Sequence, residues 1–454
     1  MTLATGFDVT GDGRTDDTAA LQHAIDAGGG VLQLAKGTYR LSRSLELDAT
    51  RLGYVGIRGE QGASRLLMAA AGPAVSITGD HRGTATPAHV QPHTWERERM
   101  PIVSGIEIVG AHRLADGIRL TRTMQTTIQN TLLRRVRHGI QLVERNRNFL
   151  LSACHIYDCH ETGVFFDHCN LHQVIITGNH ISYCKRAGIY QHNGDVHNIQ
   201  ITGNDIEYNS GYDGTRDPQH SGEIVLAAPE GIISEYTIAG NTLQATREAA
   251  GANLLILGSE ETPGTAVRLV AVTGNVLGSR DRNVVITDGV RISITGNTIY
   301  DGTRRNVVLT DCHTAVLSGN TIATRPASWE STSRDGIALL RCVGGLVAGN
   351  VINDCLHEEG AILVRECREL AIANNQLLDS HDCGIAVRDS VRCRISDNSI
   401  SETRAEPKMT RSVRVTGSSH HNVIQSNLVS AAIECSDERG RQIANTVLPV
   451  VPEN

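Results

Sequence analysis

One short phrase recurs down most of the chain: an apolar residue, any residue, Gly-Asn, any residue, then Ile or Leu. It reads Ile176-Thr177-Gly178-Asn179-His180-Ile181, then Ile201-Thr202-Gly203-Asn204-Asp205-Ile206, then Ile238-Ala239-Gly240-Asn241-Thr242-Leu243. It continues through Asn275, Asn297, Asn320 and Asn350, and relaxes at Asn375, Asn398 and Asn427. Successive turn asparagines lie 25, 37, 34, 22, 23, 30, 25, 23 and 29 residues apart. A short period with occasional insertions is the mark of a stacked repeat, in which each unit buries its apolar face only against its neighbours.

A second piece, a Gly-Ile-x-Leu-like strand, precedes each Gly-Asn turn: Gly139-Ile140-Gln141-Leu142, Gly163-Val164-Phe165-Phe166, Gly188-Ile189, Gly336-Ile337 and Gly384-Ile385. Alternation at period two over four to six residues argues for short strands with one face buried. Three such strands per repeat, joined by tight corners, make one coil of a parallel β-helix. Asn suits the corner because it tolerates left-handed backbone and bonds to nearby main chain, and stacked amides form a ladder. The frame extends back to Ile128-Gln129-Asn130 and to Cys154 in the Asn position. About twelve or more coils follow, on the order of 55–60 Å at ~4.8 Å per strand. The fold class is all-β.

Aromatic residues make up only 3% of the chain, which suits a thin core of Ile, Val and Leu. The net charge of −7 supplies no basic footprint for nucleic acid. The eleven cysteines recur at like positions in their coils, as in Cys169, Cys312, Cys342 and Cys367, and read as reduced, stacked structural thiols. No apolar run is long enough to span a membrane, and residues 1–10 do not read as a signal peptide. The expected location is the cytoplasm, or outside it after removal of a leader.

The N-terminus, Gly11-Asp12-Gly13-Arg14-Thr15-Asp16-Asp17-Thr18 followed by Leu21, Ala24 and Ile25, reads as a short helix capped by Asp16 or Asp17 and stopped by Gly28 to Gly30. It would cover the open strand edges of the first coil. This stretch resembles the opening of the pectate-lyase-like superfamily, which includes polysaccharide lyases, glycosidases and phage tailspikes. The resemblance implies a right-handed parallel β-helix solenoid and action on carbohydrate. The expected organisation is an entry strand and capping helix over 1–45, a β-helix over 46–430 with insertions at 79–101, 205–222 and 323–335, and a C-terminal tail or cap over 431–454.

In the resembled superfamily, substrate lies in a groove along the first sheet. Outward positions on the first strands are Arg119, Gln141, Phe165 and Asp167, Tyr190 and His192, and Glu223, after which Val, Thr and Ala take over. The insertion after Asn204 adds Glu207, Tyr212, Arg216, Asp217 and His220, residue types able to neutralise a uronate, remove an α-proton and reprotonate a leaving oxygen. Its Asp217-Pro218-Gln219-His220 looks like the Asp-Pro-His of mannuronan epimerases, with the His one residue late. The candidate catalytic set is Asp167, Tyr190, His192, Tyr212, Arg216, Asp217, His220 and Glu223. The candidate substrate-binding set is Arg119, Gln141, Phe165, Lys185, Glu207 and Trp95, the last in a loop where it would stack on a sugar ring. A solvated sheet face or a surface turn explains the same residues without chemistry.

No metal site is expected, because the histidines fall on different corners. No cofactor is expected either; calcium, used by some lyases of the superfamily, lacks the clustered carboxylates it needs. The leading expectation is a polysaccharide lyase cleaving at uronic acid units by β-elimination. The alternatives are a glycosidase with Asp167 and Glu223 as its carboxylate pair, and a non-enzymatic glycan-binding or structural β-helix. The partner is a polysaccharide or oligosaccharide, not nucleic acid or a membrane; the sequence leaves the oligomeric state open.

Overall fold

The computed structural model describes residues 2–448 except 61, 83–85, 211–219, 247–248, 260–263, 324–333, 335, 358 and 438. The chain divides into two compact units, one of residues 1–212 and 222–237, the other of 213–221 and 238–454. Each is a stack of parallel coils whose strands pair with those one coil away. In the first unit the first-sheet strands run through Gly72–Thr78, Ala115–Thr121, His138–Ser152, Thr162–Thr177, Ala187–His192 and Gly222–Ala227, in parallel register. In the second unit they run through Ala252–Leu257, Val276–Thr287, Thr298–Thr310, Ile337–Leu340, Ile362–Arg365, Cys383–Arg388 and Arg411–Thr416. Among the described residues no helix is long and apolar enough to cross a membrane.

The asparagine corner works as a bridge. Asn297 Oδ1 accepts both the backbone N–H and the side-chain Nδ2 of Asn275, at 2.9 and 3.0 Å. Asn297 in turn donates both groups to Asn320 Oδ1, at 3.0 and 2.9 Å, and its Nδ2 reaches the Val272 and Thr295 carbonyls. The same pattern links Asn320, Asn350, Asn375, Asn398, Asn427 and Asn445. In the first unit Cys154 donates its N–H to Asn179, which donates to Asn204. The left-handed residue is not the asparagine, as the sequence suggests, but the residue before it. Gly178, Gly203, Gly240, Gly274, Gly296, Gly319 and Gly349 all lie at φ 62–64°, and Asn374, Asp397 and Ser426 take that role where glycine is missing. Asn130, at φ 48°, therefore occupies the glycine position of its coil, and Thr131 stands where the ladder amide would be.

Inside the coils lie Ile, Val and Leu with almost no exposure, such as Ile156, Ile181 and Ile206 stacked in the first unit. Ten cysteines are buried with them, and Cys435 is half-buried. The entry helix, Thr18–Ala27, buries Thr18, Leu21, Ala24 and Ile25. Its first turn is held by Asp16, whose Oδ1 accepts from the Thr18 N–H and hydroxyl. Asp17 instead turns back, accepting the N–H groups of Thr10 and Gly11.

Removing one ladder amide breaks five side-chain hydrogen bonds. Asn297→Ala is expected to cost about 3 kcal/mol, read as a lower denaturation midpoint, whereas substitution of an exposed threonine on the same sheet costs almost nothing.

Candidate active site

Parallel register makes residues far apart in sequence into rows. On the first sheet of the first unit, Arg119, Gln141, Phe165 and Tyr190 share one level, and Thr121, Val143, Asp167 and His192 the level two residues on. Side chains cross-link these rows. Arg119 Nε donates to Gln141 Oε1 at 3.1 Å, and Gln141 Nε2 donates to Asp167 Oδ2 at 3.0 Å. His168 Nδ1 lies 2.9 Å from the other Asp167 oxygen, and because an ionised carboxylate only accepts, the imidazole is the donor. In the neutral imidazole that donates from Nδ1, Nε2 of His168 is the acceptor. The His192 ring stands edge-on to His168, centroids 4.5 Å apart.

Beneath this group is an aromatic floor. Phe165 stacks on Tyr190 (5.5 Å, 3° between planes), and the Tyr190 ring stacks nearly parallel to the His192 ring, centroids 5.8 Å apart. Arg186 lies over Tyr190 at 4.2 Å and donates to its hydroxyl at 2.9 Å. His138 packs against Phe165 at 4.8 Å, and burial drives its imidazole down to about 4 from the ordinary 6.5. Asp116 and Arg137, joined by two hydrogen bonds of 2.8 and 2.6 Å, close the lower end, and that pairing raises the guanidinium.

Asp167, His168 and His192 form the one group of three or more His, Cys, Asp or Glu among the described residues whose ligand atoms all lie within 4.8 Å of one another. This corrects the expectation that the histidines scatter over separate corners. His168 was missed because it breaks the alternation within Thr162–Thr177. Its left-handed backbone, φ 46°, belongs to the corner. Two imidazoles and one carboxylate are the donor set of a zinc-like ion, not of calcium, which takes oxygen ligands. Without an ion, the same geometry is a carboxylate-oriented imidazole pair suited to proton transfer.

Two of the expected catalytic residues, Tyr190 and Glu223, are buried. Tyr190 is only 1% exposed, so its hydroxyl faces Arg186 rather than a groove. Glu223 is 0% exposed and points inward. Its carboxylate accepts the Asn209 N–H and, at 2.6 Å, Asn209 Nδ2, taking the place of a ladder amide. The reason is positional: Ala187 pairs with Gly222, so Glu223 stands level with Gly188, and a Cβ at Gly188 would meet Ile206 and Asn209 in the interior. Glu223 sits where neighbouring coils place glycine, a signal present in the sequence. Glu207 ends a strand, Asp205–Glu207, that pairs with His180–Ser182 on a different sheet. Burial first, and Asp205 beside it, raise the Glu207 carboxyl.

Lys185 is half-buried at the corner before Ala187–His192, its N–H on the Cys159 carbonyl. Trp95 is half-buried on the short helix Pro92–Glu96. His220 is half-buried and falls in the second unit. Tyr212, Arg216 and Asp217 lie outside the described residues.

The family profile described as the right handed beta helix region matches residues 96–206 and 282–447. No curated protein matches the sequence. Among solved structures, the Dettilon tailspike protein is 17% identical with a TM-score of 0.51, covering 82% of this chain and 66% of its own. Tailspike protein 2 from Escherichia coli O157:H7 bacteriophage CAB120 is 14% identical, TM-score 0.48, over 77% of this chain and 42% of its own. The chain thus spans less than two thirds of either tailspike. The Azotobacter vinelandii mannuronan C-5 epimerase AlgE4 A-module is 14% identical, TM-score 0.37, over 97% and 99%.

Two outcomes follow from this geometry. Glu223→Gln keeps an acceptor for Asn209 and is expected to leave activity intact, with a stability loss on the order of 1 kcal/mol in chemical denaturation. His138 is depressed in the folded state, so between pH 6.5 and 4 the unfolded chain binds the extra proton. Its contribution is complete above pH 6.5 and is lost as pH falls towards 4. His138→Phe should flatten the fall in denaturation midpoint over that window, by an amount on the order of 2 kcal/mol.

Proposed function

The chain belongs to the right-handed β-helix family, and from that premise we propose that its first unit acts on a polysaccharide, by β-elimination at uronic acid units. What supports the reading is the Asp167–His168–His192 group at the solvent side of the first sheet, where the Asp167 side chain is 30% and that of His168 59% exposed. Asp167 holds His168 with Nε2 as acceptor, the state a general base needs. His168 takes the proton from the carbon next to the uronate carboxyl. The electrons form the ring double bond as the bond to the leaving oxygen breaks, and His192 returns a proton to that oxygen. Gln141 and Arg119 fix Asp167 from below.

The glycosidase alternative loses its partner, because Glu223 is inside the coil. The donor set favours one variation, in which Asp167, His168 and His192 would hold a zinc-like ion that supplies charge to stabilise the uronate.

The test is turnover of polygalacturonate, alginate and hyaluronan, followed by ultraviolet absorbance of the unsaturated product. His192→Ala and Asp167→Asn are expected to lower kcat by about 100-fold or more while binding persists. Loss of activity on dialysis against a chelator, restored by zinc, would move the group from proton transfer to metal binding. Products lacking a double bond point to hydrolysis, and binding of a polymer with no turnover to a glycan-binding protein; either result ends the lyase reading.

A further inference from the structure

The second unit carries a cavity of about 360 Å³ on the corner that follows its first-sheet strands. Asp288, Asp311 and Arg341 line it, with Gly258, Ser259, Thr287 and Thr310. The three charged residues are each in left-handed backbone, at φ 60°, 54° and 52°. Such a corner aims successive side chains from neighbouring coils into the same space, as the register Thr287 to Thr310 to Leu340 requires.

Asp288 is the informative residue. It is 4% exposed, and its Oδ1 accepts the Gly264 N–H. Its Oδ2 is buried with no hydrogen-bond partner among the described residues. A buried carboxylate oxygen without a partner is costly, and such groups are ordinarily matched by a ligand or ordered water. Burial is the chief cause that raises this carboxyl, with the Gly264 and Ser259 amides opposing it and Asp311 adding to it. Asp311 is satisfied differently: Arg341 grips it with two hydrogen bonds of 2.8 and 2.7 Å.

The lining selects its occupant. Two carboxyl groups repel a uronate or phosphate, and the Arg341 guanidinium opposes a bare cation. Vicinal hydroxyls both donate to a carboxylate and accept from a guanidinium or a threonine hydroxyl. The volume lies within the range of small-ligand pockets. We propose that this cavity is a subsite for a neutral sugar unit, held by Asp288 as acceptor, Arg341 as donor and Thr310 beside them. It is independent of the first unit's chemistry and would serve to hold a neutral stretch of a glycan.

Saturation-transfer NMR on the intact chain tests this with methyl α-D-mannopyranoside, methyl β-D-galactopyranoside and methyl β-D-glucopyranoside. At least one is expected to bind, unaffected by His192→Ala. Binding should weaken by about tenfold or more in the double variant Asp288→Asn, Thr310→Val. Asn keeps the acceptor for Gly264 and tolerates left-handed backbone, so this variant is expected to fold, which circular dichroism checks. The proposal is overturned if none of the three glycosides binds, if binding survives the double variant, if methyl galacturonoside binds as tightly, or if calcium chloride alone binds and Asp288→Asn abolishes it.

Discussion

The structure depends on one bridging amide. An asparagine oxygen with two lone pairs accepts two donors from the coil before, while the same side chain's nitrogen ties down two main-chain carbonyls. A corner in a solenoid must bury backbone polar groups that neither helix nor sheet satisfies, and here the side chain supplies the missing partners. Repetition turns that local solution into vertical alignment. Because each amide binds its neighbour at a fixed distance, a coil can lengthen its loops, as between Asn320 and Asn350, without losing register at the corner.

Alignment is also what creates a site. Asp167 and His192 come from successive coils, and they meet because strand pairing sets their levels to coincide. The scaffold supplies rigidity through stacking, with Phe165 and Tyr190 forming a floor beside which the His168 and His192 imidazoles are presented. Exposure then divides the labour. Buried Phe165 and Tyr190 hold position, and Asp167, His168 and His192 are left more exposed.

The solenoid was legible from the spacing of Gly-Asn alone, because a period that repeats with insertions leaves few alternatives. The entry helix was legible too, although Asp16 rather than Asp17 holds its first turn. Strand alternation also identified Arg119, Gln141, Phe165, Asp167, Tyr190 and His192 as facing one way. It failed where alternation stops. Glu223 stands in a glycine slot at the start of its strand, where the backbone turns and the side chain points inward. His168 sits at a left-handed residue inside Thr162–Thr177, where the alternation is interrupted. Tyr190 shows a third limit: facing outward does not mean facing water when an arginine from the preceding corner, Arg186, lies across it. Frame and face follow from local pattern, but burial on a sheet surface depends on which corner side chains fold over it.

The ladder has a chemical cost that follows from its composition. Hydrolysis of a single side-chain amide to a carboxylate would put an oxygen where Asn297 Nδ2 now faces the carbonyls of Val272 and Thr295. Attraction at that corner would become repulsion without any change in the gene. A buried, fully bonded amide is also held away from the flexible geometry such a reaction needs, so the contacts that align the coils also protect the groups that make them.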